Sequence, residues 1–134
     1  MYTASCLCGA VKFEITGPIE NIVYCHCSQC RRAQGTAFAT NGNVKNEHFH
    51  FRSGEDKLTV YESLPGNYKY FCKHCGSPIL NKKDNKPDVV RIRLGSIESD
   101  IQERPEAHIF VTSKANWDHI CDDLPQYEEF MPEK

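Results

Sequence analysis

The stretch Tyr24-Cys25-His26-Cys27-Ser28-Gln29-Cys30-Arg31-Arg32 places three thiols within six residues and follows them with two guanidinium groups. Four further cysteines lie far away in two pairs, Cys6 with Cys8 and Cys72 with Cys75. Zinc in proteins commonly takes four tetrahedral ligands, and thiolate is one of those it prefers. The two pairs therefore predict one closed four-thiolate site. The triplet predicts a second site with an open position, where chemistry is expected.

Each outer cysteine pair is followed at once by a glycine, Gly9 or Gly76. A glycine at this point permits a positive φ, which lets backbone N–H groups turn toward the thiolates, as in the knuckles of zinc ribbons. The alternative, buried structural cysteines, suits a single pair better than two pairs built alike. In a reducing compartment disulfides are rare, so cysteines at this spacing favour zinc over a disulfide framework.

The central triplet differs from the pairs because Arg31, not glycine, follows its last cysteine. Ser28 is predicted to cap a short helix over residues 29–34, which Gly35 ends. Cys30 then lies in the first helical turn, where exposed N–H groups and the helix dipole lower the pKa of a thiol. The alternative is a third structural turn completed by a fourth ligand. The candidates for that ligand are Cys121, His48 and His50.

The remaining histidines and Cys121 give weaker signals. His26 lies between two proposed ligands, so its side chain is expected to point away from the metal in an extended pair. His74 lies inside a knuckle, where such residues are usually solvated, and Cys121 has no partner at motif spacing. A buried or free thiol is the favoured interpretation of Cys121.

Length and charge bound the possible function. The chain has 134 residues, of which 40% are hydrophobic, and a formal net charge of −2. Residues 1–134 are predicted to form a single domain. The weak negative charge without a basic stripe predicts neither a nucleic-acid nor a membrane partner. The first residues lack the pattern of a targeting segment, so a cytoplasmic location is expected. Nothing in the sequence specifies an oligomeric state.

The patterning along the chain predicts a mainly β fold with short helical turns. Alternating or short apolar runs bounded by turn residues predict strands. These are residues 11–16, 36–40, 49–51, 58–61, 68–71, 89–95 and 108–112. Asn41-Gly42-Asn43 is predicted to be a turn, and residues 81–88 an exposed loop. The apolar residues of the tail, Trp117 above all, are predicted to anchor it in the core. They are Trp117, Ile120, Leu124, Tyr127 and Phe130.

Five motifs in a fixed order carry a resemblance to a known family. They are Cys6-x-Cys8-Gly9-Ala10-Val11; Cys25-His26-Cys27-x-x-Cys30-Arg31-Arg32-x-x-Gly35; Phe71-Cys72-x-x-Cys75-Gly76-Ser77; His108-Ile109 with Ser113 and Trp117; and Asp123-Leu124-Pro125-Gln126-Tyr127. Their order resembles the glutathione-dependent formaldehyde-activating enzyme family, which includes the centromere protein V-like proteins. The resemblance implies a β-tent fold of small antiparallel sheets built around zinc. It also implies a structural zinc on the four outer cysteines and a reactive zinc on Cys25, Cys27 and Cys30. Because the triplet supplies only three ligands from one short stretch, its zinc is predicted to be the more labile of the two.

The activity that this resemblance implies is the joining of glutathione to formaldehyde as S-(hydroxymethyl)glutathione, a carbon–sulfur lyase reaction. A zinc with three thiolates and an open position can hold an incoming thiol as thiolate beside a small carbonyl. Three thiolates also weaken the Lewis acidity of the ion, so thiol activation is favoured over carbonyl activation. An anionic thiol such as glutathione needs nearby cations, for which Arg31 and Arg32 are candidates. Their alternative role is that of solvated charges on a helix surface.

Two other functions remain open from the sequence. The first is a non-catalytic, zinc-stabilised protein-interaction module, which can share the same cysteines. A cleft that opens onto the triplet distinguishes the enzyme from such a module. The second is a zinc-ribbon nucleic-acid binder, which the negative net charge disfavours.

Overall fold

The computed structural model describes residues 1–133, and strands dominate it. The strands are β1 (Tyr2–Ser5), β2 (Lys12–Ile15), β3 (Glu20–Cys25), β4 (Ala39–Lys45), β5 (Phe49–Ser53), β6 (Leu58–Leu64), β7 (Asn67–Cys72), β8 (Pro78–Lys83), β9 (Val89–Arg93) and β10 (Ala107–Ile109). A short α-helix, α1 (Ser28–Gln34), follows β3. Single 3₁₀ turns lie at Asn46–His48, Glu55–Lys57, Leu94–Ser96 and Val111–Ser113. The predicted mainly β class with short helical turns is confirmed.

The strands form two sheets. The smaller sheet has the order β1-β2-β5, and the larger sheet has the order β10-β3-β4-β9-β8-β7-β6. Neighbouring strands are antiparallel except β10, which runs parallel to β3. Because β10 pairs with β3 up to Cys25, the carboxyl ends of these two strands meet at the central cysteine triplet. No helix among residues 1–133 has both the length and the apolar character needed to span a membrane.

The core lies between the two sheets and is filled by alternate strand residues. Strand β2 shows the pattern most simply, because Phe13 and Ile15 are buried while Lys12 is exposed. Phe13 stacks against Phe49 of β5 with ring centroids 4.8 Å apart. The larger sheet contributes aliphatic side chains to the same core, and they are Ile22, Val44, Ile79, Leu80, Val90 and Ile92. A smaller apolar cluster surrounds Cys25 and Cys30.

The predicted turn at Asn41-Gly42-Asn43 is wrong, because these residues lie in the middle of β4. The glycine is needed for close packing and not for chain reversal. A side chain at Gly42 would collide with Ile19 and crowd Leu94 and Ile22. The local signal for a turn is therefore overridden by long-range pairing of β4 with β3 and β9.

The predicted exposed loop at residues 81–88 is also wrong in its first part. Asn81, Lys82 and Lys83 complete β8, which pairs with β7 along its length. Strand β3 is absent from the sequence prediction, and the strand expected over residues 108–112 ends at Ile109. Phe110 ends it by adopting a left-handed conformation with φ of 54°.

The prediction that Trp117 lies in the core is wrong. Its side chain is 67% exposed, and Phe130 is 58% exposed. The tail is attached partly through its backbone. For example, Tyr127 N–H donates to the His108 carbonyl at 2.9 Å. The other predicted anchors, Ile120, Leu124 and Tyr127, are half-buried.

Substitution of Trp117 is therefore expected to have little effect on stability. Trp117→Ala should change the free energy of unfolding by less than about 1 kcal/mol, as surface substitutions do. Phe13→Ala is the matched control, because Phe13 is 1% exposed. It should lower the free energy of unfolding by about 3–5 kcal/mol. Urea unfolding followed by circular dichroism measures both, and equal losses in the two variants would contradict this assignment.

Candidate metal centres and the adjoining cavity

The four outer cysteines converge on one point. Cys6 and Cys8 lie in the turn between β1 and β2, whereas Cys72 ends β7 and Cys75 lies in the turn that leads to β8. Their Sγ atoms all lie within 4.8 Å of one another. The Cys6–Cys8 and Cys8–Cys72 sulfur separations are 3.7 and 3.8 Å. Tetrahedral thiolates about 2.3 Å from a zinc ion would be about 3.8 Å apart. The cluster therefore fits a closed four-thiolate metal site.

Backbone groups support these thiolates in the way the glycine positions predict. Gly9 and Gly76 have φ of 80° and 78°. The N–H of Val11 donates to Cys6 Sγ at 3.3 Å. Burial raises the pKa of Cys6, but this N–H and the thiols of Cys8 and Cys72 outweigh burial, so the net pKa is lowered. A lowered pKa favours the thiolate, which is the form that binds metal.

Ser77 joins the two halves of this site. The N–H of Leu7 donates to Ser77 Oγ at 3.0 Å, and the same oxygen lies 3.2 Å from Cys75 Sγ. The hydrogen bond from the Ser77 hydroxyl is the largest cause that lowers the pKa of Cys75, to about 5. One hydroxyl thus stabilises a thiolate of the second pair and holds the backbone of the first.

The triplet forms a second sulfur cluster at the start of α1. Cys25 ends β3, and the Sγ atoms of Cys25, Cys27 and Cys30 lie within 4.8 Å of one another. The predicted helix cap, Ser28, is wrong, because Cys27 is the N-cap and its Sγ accepts from the Cys30 N–H at 3.3 Å. Gly35 ends the helix with φ of 67°, as predicted. Cys30 lies in the first turn, also as predicted.

The three candidates for a fourth ligand lie elsewhere. Cys121 is an exposed free thiol, and His50 Nε2 lies 3.3 Å from the hydroxyl of Thr16. His48 lies on the same side of the smaller sheet, where its carbonyl accepts from the N–H of Thr16. Within residues 1–133, the cluster at the triplet comprises its three cysteines alone. Among the described residues, this cluster therefore has one potential ligand fewer than the four-cysteine cluster.

A cavity of about 310 Å³ opens onto the triplet, and Cys25, Cys27 and Cys30 all line it. Ligand pockets for small molecules begin at about this size. One part of the wall is apolar and consists of Leu64, Ile109, Phe110 and Phe130. Four cationic residues also line it, and they are Lys69, Lys82, Lys83 and Arg91. The cavity therefore places cationic and apolar side chains beside the three cysteines.

The cations predicted from the sequence, Arg31 and Arg32, do not line this cavity. Arg31 is half-buried and Arg32 is exposed on α1. The lining cations come from β7, β8 and β9 instead. Burial lowers the pKa of Lys69, and the nearby thiolates oppose that effect. The alternation of polar and apolar residues in Tyr68-Lys69-Tyr70 is the signal that could have placed Lys69 on one face of a strand.

Two buried histidines link the triplet to the tail. His26 is fully buried, and its Nε2 lies 2.9 Å from His108 Nδ1. His108 Nε2 in turn lies 2.9 Å from a carboxylate oxygen of Asp122. Because a carboxylate only accepts, His108 donates from Nε2 to Asp122. Burial lowers the pKa of His26, which favours the neutral form of the His26 ring.

This chain of hydrogen bonds fixes the residue between Cys25 and Cys27. The His26 ring packs against Phe38 with centroids 5.2 Å apart, and it does not line the cavity. Asp118 also approaches, with Oδ2 4.0 Å from His26 Nδ1. The sequence gives no local signal for Asp118 or Asp122, since both lie in an irregular tail far from the triplet.

Comparison with known proteins identifies similar sequences and a similar fold. The family model described as glutathione-dependent formaldehyde-activating enzyme matches residues 1–113. A candidate glutathione-dependent formaldehyde-activating enzyme of Halomonas elongata is 30% identical over 127 residues, which cover 87% of this chain and 78% of that protein. A crystal structure of a Rhodobacter sphaeroides protein matches with a TM-score of 0.63 at 24% identity, covering 77% of this chain and 97% of that chain. This last likeness supports the fold alone.

Fungal proteins of the same description are longer. A candidate enzyme of Podospora anserina is 27% identical over 119 residues, which cover 83% of this chain. One of Aspergillus flavus is 29% identical over 79 residues, which cover 58% of this chain. These matches span 54% and 41% of the two fungal proteins, so the chain corresponds to about half of their length.

Proposed function

Because this chain belongs to the glutathione-dependent formaldehyde-activating enzyme family, we propose that it joins a thiol such as glutathione to formaldehyde, forming S-(hydroxymethyl)glutathione. The reaction is of the carbon–sulfur lyase type. The observation that carries the proposal is the cavity, which brings all three cysteines of the triplet to its wall beside four cationic side chains. The proposed location is the cytoplasm, where such thiols stay reduced.

The two cysteine clusters take different roles in this proposal. Cys6, Cys8, Cys72 and Cys75 hold a structural zinc, because four thiolates close its coordination. Cys25, Cys27 and Cys30 hold a second, more labile zinc. When bound there, zinc would supply an open coordination position and lower the pKa of a thiol that occupies it.

The side chains of the cavity bind and orient the thiol. Glutathione carries carboxylates, and the lining cations attract them by charge. Lys69 and Lys83 lie on neighbouring strands, β7 and β8, and both have pKa values lowered by burial. Their partial desolvation makes a bound carboxylate a favourable partner, since buried charges are stable when paired. The apolar wall around Ile109 and Phe110 excludes water from the sulfur.

The chemical step needs only that the thiolate and formaldehyde be held together. The thiolate sulfur attacks the carbonyl carbon, the carbon–sulfur bond forms, and the electron pair of the C=O double bond moves to oxygen. The proton lost by the thiol is returned to that oxygen, so the product is the hydroxymethyl thioether and nothing else is consumed. Holding both reactants in one small cavity removes much of the entropic barrier to this addition.

The cavity also favours this proposal over a non-catalytic interaction module. A module stabilised by metal needs its cysteines only as internal cross-links. Here Cys27 is half-buried and faces a cavity of about 310 Å³. That arrangement gives a small molecule access to the sulfur cluster.

The proposal predicts that the protein speeds the interconversion of glutathione, formaldehyde and their adduct. Exchange spectroscopy by NMR at equilibrium measures this rate against the spontaneous rate without protein. Glutathione should also bind at least about tenfold more tightly than S-methylglutathione, whose sulfur cannot become a thiolate. Calorimetric titration supplies the two dissociation constants. Equal binding of both compounds, or a rate that does not depend on protein concentration, would contradict the proposal.

A further inference from the structure

A buried arginine, Arg93, is linked to the cysteine triplet through one side chain, that of Asn41. Arg93 ends β9 and is only 3% exposed. It pairs in register with Asn41 of β4, and its Nη1 donates to Asn41 Oδ1. Asn41 is itself 1% exposed and directs Nδ2 at Cys30 Sγ, 3.9 Å away. A continuous line of donors thus runs from the guanidinium to a thiol of the triplet.

Arg93 has no carboxylate partner among residues 1–133. None of the ion pairs found among these residues includes Arg93. Burying an unpaired charge is strongly unfavourable, so an anionic partner is expected nearby. The charges on Cys30, Cys25 and Cys27 are the anions that act on Arg93. Burial lowers the pKa of Arg93, and these thiolates oppose that effect.

A second cation joins Arg93 through Asn81. In the orientation that satisfies its hydrogen bonds, the Asn81 side-chain oxygen accepts from Arg93 Nη2 at 3.0 Å and from Lys69 Nζ at 3.3 Å. Its amide nitrogen then donates to the Leu80 carbonyl at 3.1 Å. Asn81 therefore connects a buried guanidinium with an ammonium group that lines the cavity.

We propose that Arg93, acting through Asn41, is a positioning residue whose buried charge offsets the extra negative charge of a thiolate entering the cavity. This inference rests on the proposed function of the cavity. Three thiolates with one divalent ion carry a net negative charge, and a fourth thiolate increases it. A buried positive charge fixed behind the cluster stabilises the occupied state more than the open state. Arg93 therefore acts on the affinity for the incoming thiol.

The test uses the cobalt(II)-loaded protein, since sulfur-to-cobalt charge-transfer absorption reports how strongly a thiolate donates. The absorption change on adding glutathione reports the open site, because the closed site has no position for a further ligand. In Arg93→Gln, glutathione should bind about tenfold more weakly, the effect of losing a charged hydrogen-bond donor. The charge-transfer band should move to longer wavelength, because the thiolate electrons rise in energy without the nearby cation. Arg93→Lys, which keeps the charge, should stay close to the wild-type protein in both measurements.

Arg52→Gln is the matched control. Arg52 is exposed and pairs with Glu14 at 2.6 Å on the smaller sheet, so the same substitution there should change neither measurement.

If Arg93→Gln fails to fold, Asn41→Asp provides the second test. A carboxylate at position 41 would pair with Arg93 and repel the Cys30 thiolate, so glutathione affinity should again fall. Wild-type affinity and band position in a folded Arg93→Gln or Asn41→Asp variant would overturn the inference and leave the proposed function standing. A wild-type protein that shows no absorption change with glutathione would instead overturn the proposed function.

Discussion

Replacing Cys72 with serine is expected to abolish the cooperative unfolding transition of this protein. Cys72 is fully buried, and its Sγ lies 3.8 Å from that of Cys8, which is 64 positions away in the sequence. Closing so long a loop is entropically unfavourable, and metal binding offsets this loss. A structural zinc site contributes about 10–16 kcal/mol, which equals or exceeds the total stability of most domains, about 5–15 kcal/mol.

The loss of one thiolate should therefore lower the free energy of unfolding below the value that keeps the chain folded. Circular dichroism during heating, together with limited proteolysis, measures the outcome. The Cys72→Ser chain should aggregate or be digested rapidly. Cys121→Ser is the control, because Cys121 is exposed and lies outside both clusters. A soluble Cys72→Ser protein with the melting midpoint of the Cys121→Ser protein would show that the four-cysteine cluster does not maintain the fold.

The clusters could be predicted from the sequence because metal-binding signals are local. The spacing within Cys6-x-Cys8 or Cys72-x-x-Cys75 sets which sulfurs can converge, and the glycine that follows each pair sets the backbone turn. The helix stop at Gly35 was predictable for the same reason. These features depend on residues close together in the chain, so no knowledge of the rest of the fold is needed to place them.

The walls of the cavity could not be predicted in this way, because they depend on how distant strands pair. The local sequence predicts a loop at Lys83, whereas pairing of β8 with β7 makes it a strand residue. The local sequence predicts a turn at Asn41. In the structure β4 lies between β3 and β9, and Asn41 is buried beside Arg93. Arg31 is adjacent to the triplet in sequence, yet the cavity lies on another side of the cluster.

In the tail, apolar composition predicted burial, but the structure shows that the largest apolar side chain is exposed. Trp117 is the largest apolar side chain of the tail, but it is 67% exposed. The tail instead contributes polar groups, and Asp122 holds His108 and through it His26. Burial of a residue type is a statistical tendency, whereas the available volume depends on the whole fold.

Replacing Cys27 with serine is expected to remove the activity and one metal ion while leaving the fold intact. The contrast with Cys72 follows from the local role of the side chain. Cys27 Sγ caps α1 by accepting from the Cys30 N–H at 3.3 Å, and a serine hydroxyl is among the best groups for that position. The helix should therefore persist. A serine is a poor zinc ligand at neutral pH, however, so two thiolates remain at a site that has three in the wild-type protein.

Metal content, melting and the exchange rate of glutathione with formaldehyde should be measured on the same preparation. Cys27→Ser should contain one zinc per chain instead of two and melt close to the wild-type midpoint. Its catalysed rate should be at least about a hundredfold lower than that of the wild-type protein. Mild chelation of the wild-type protein should reproduce this state, because three ligands from one short stretch release an ion more easily than four from distant segments. If chelation removes both ions together and the chain unfolds, the triplet is part of a single structural unit with the outer cysteines. If Cys27→Ser keeps both zinc ions and the full rate, the Cys27 thiol is needed neither for metal binding nor for activation of the incoming thiol.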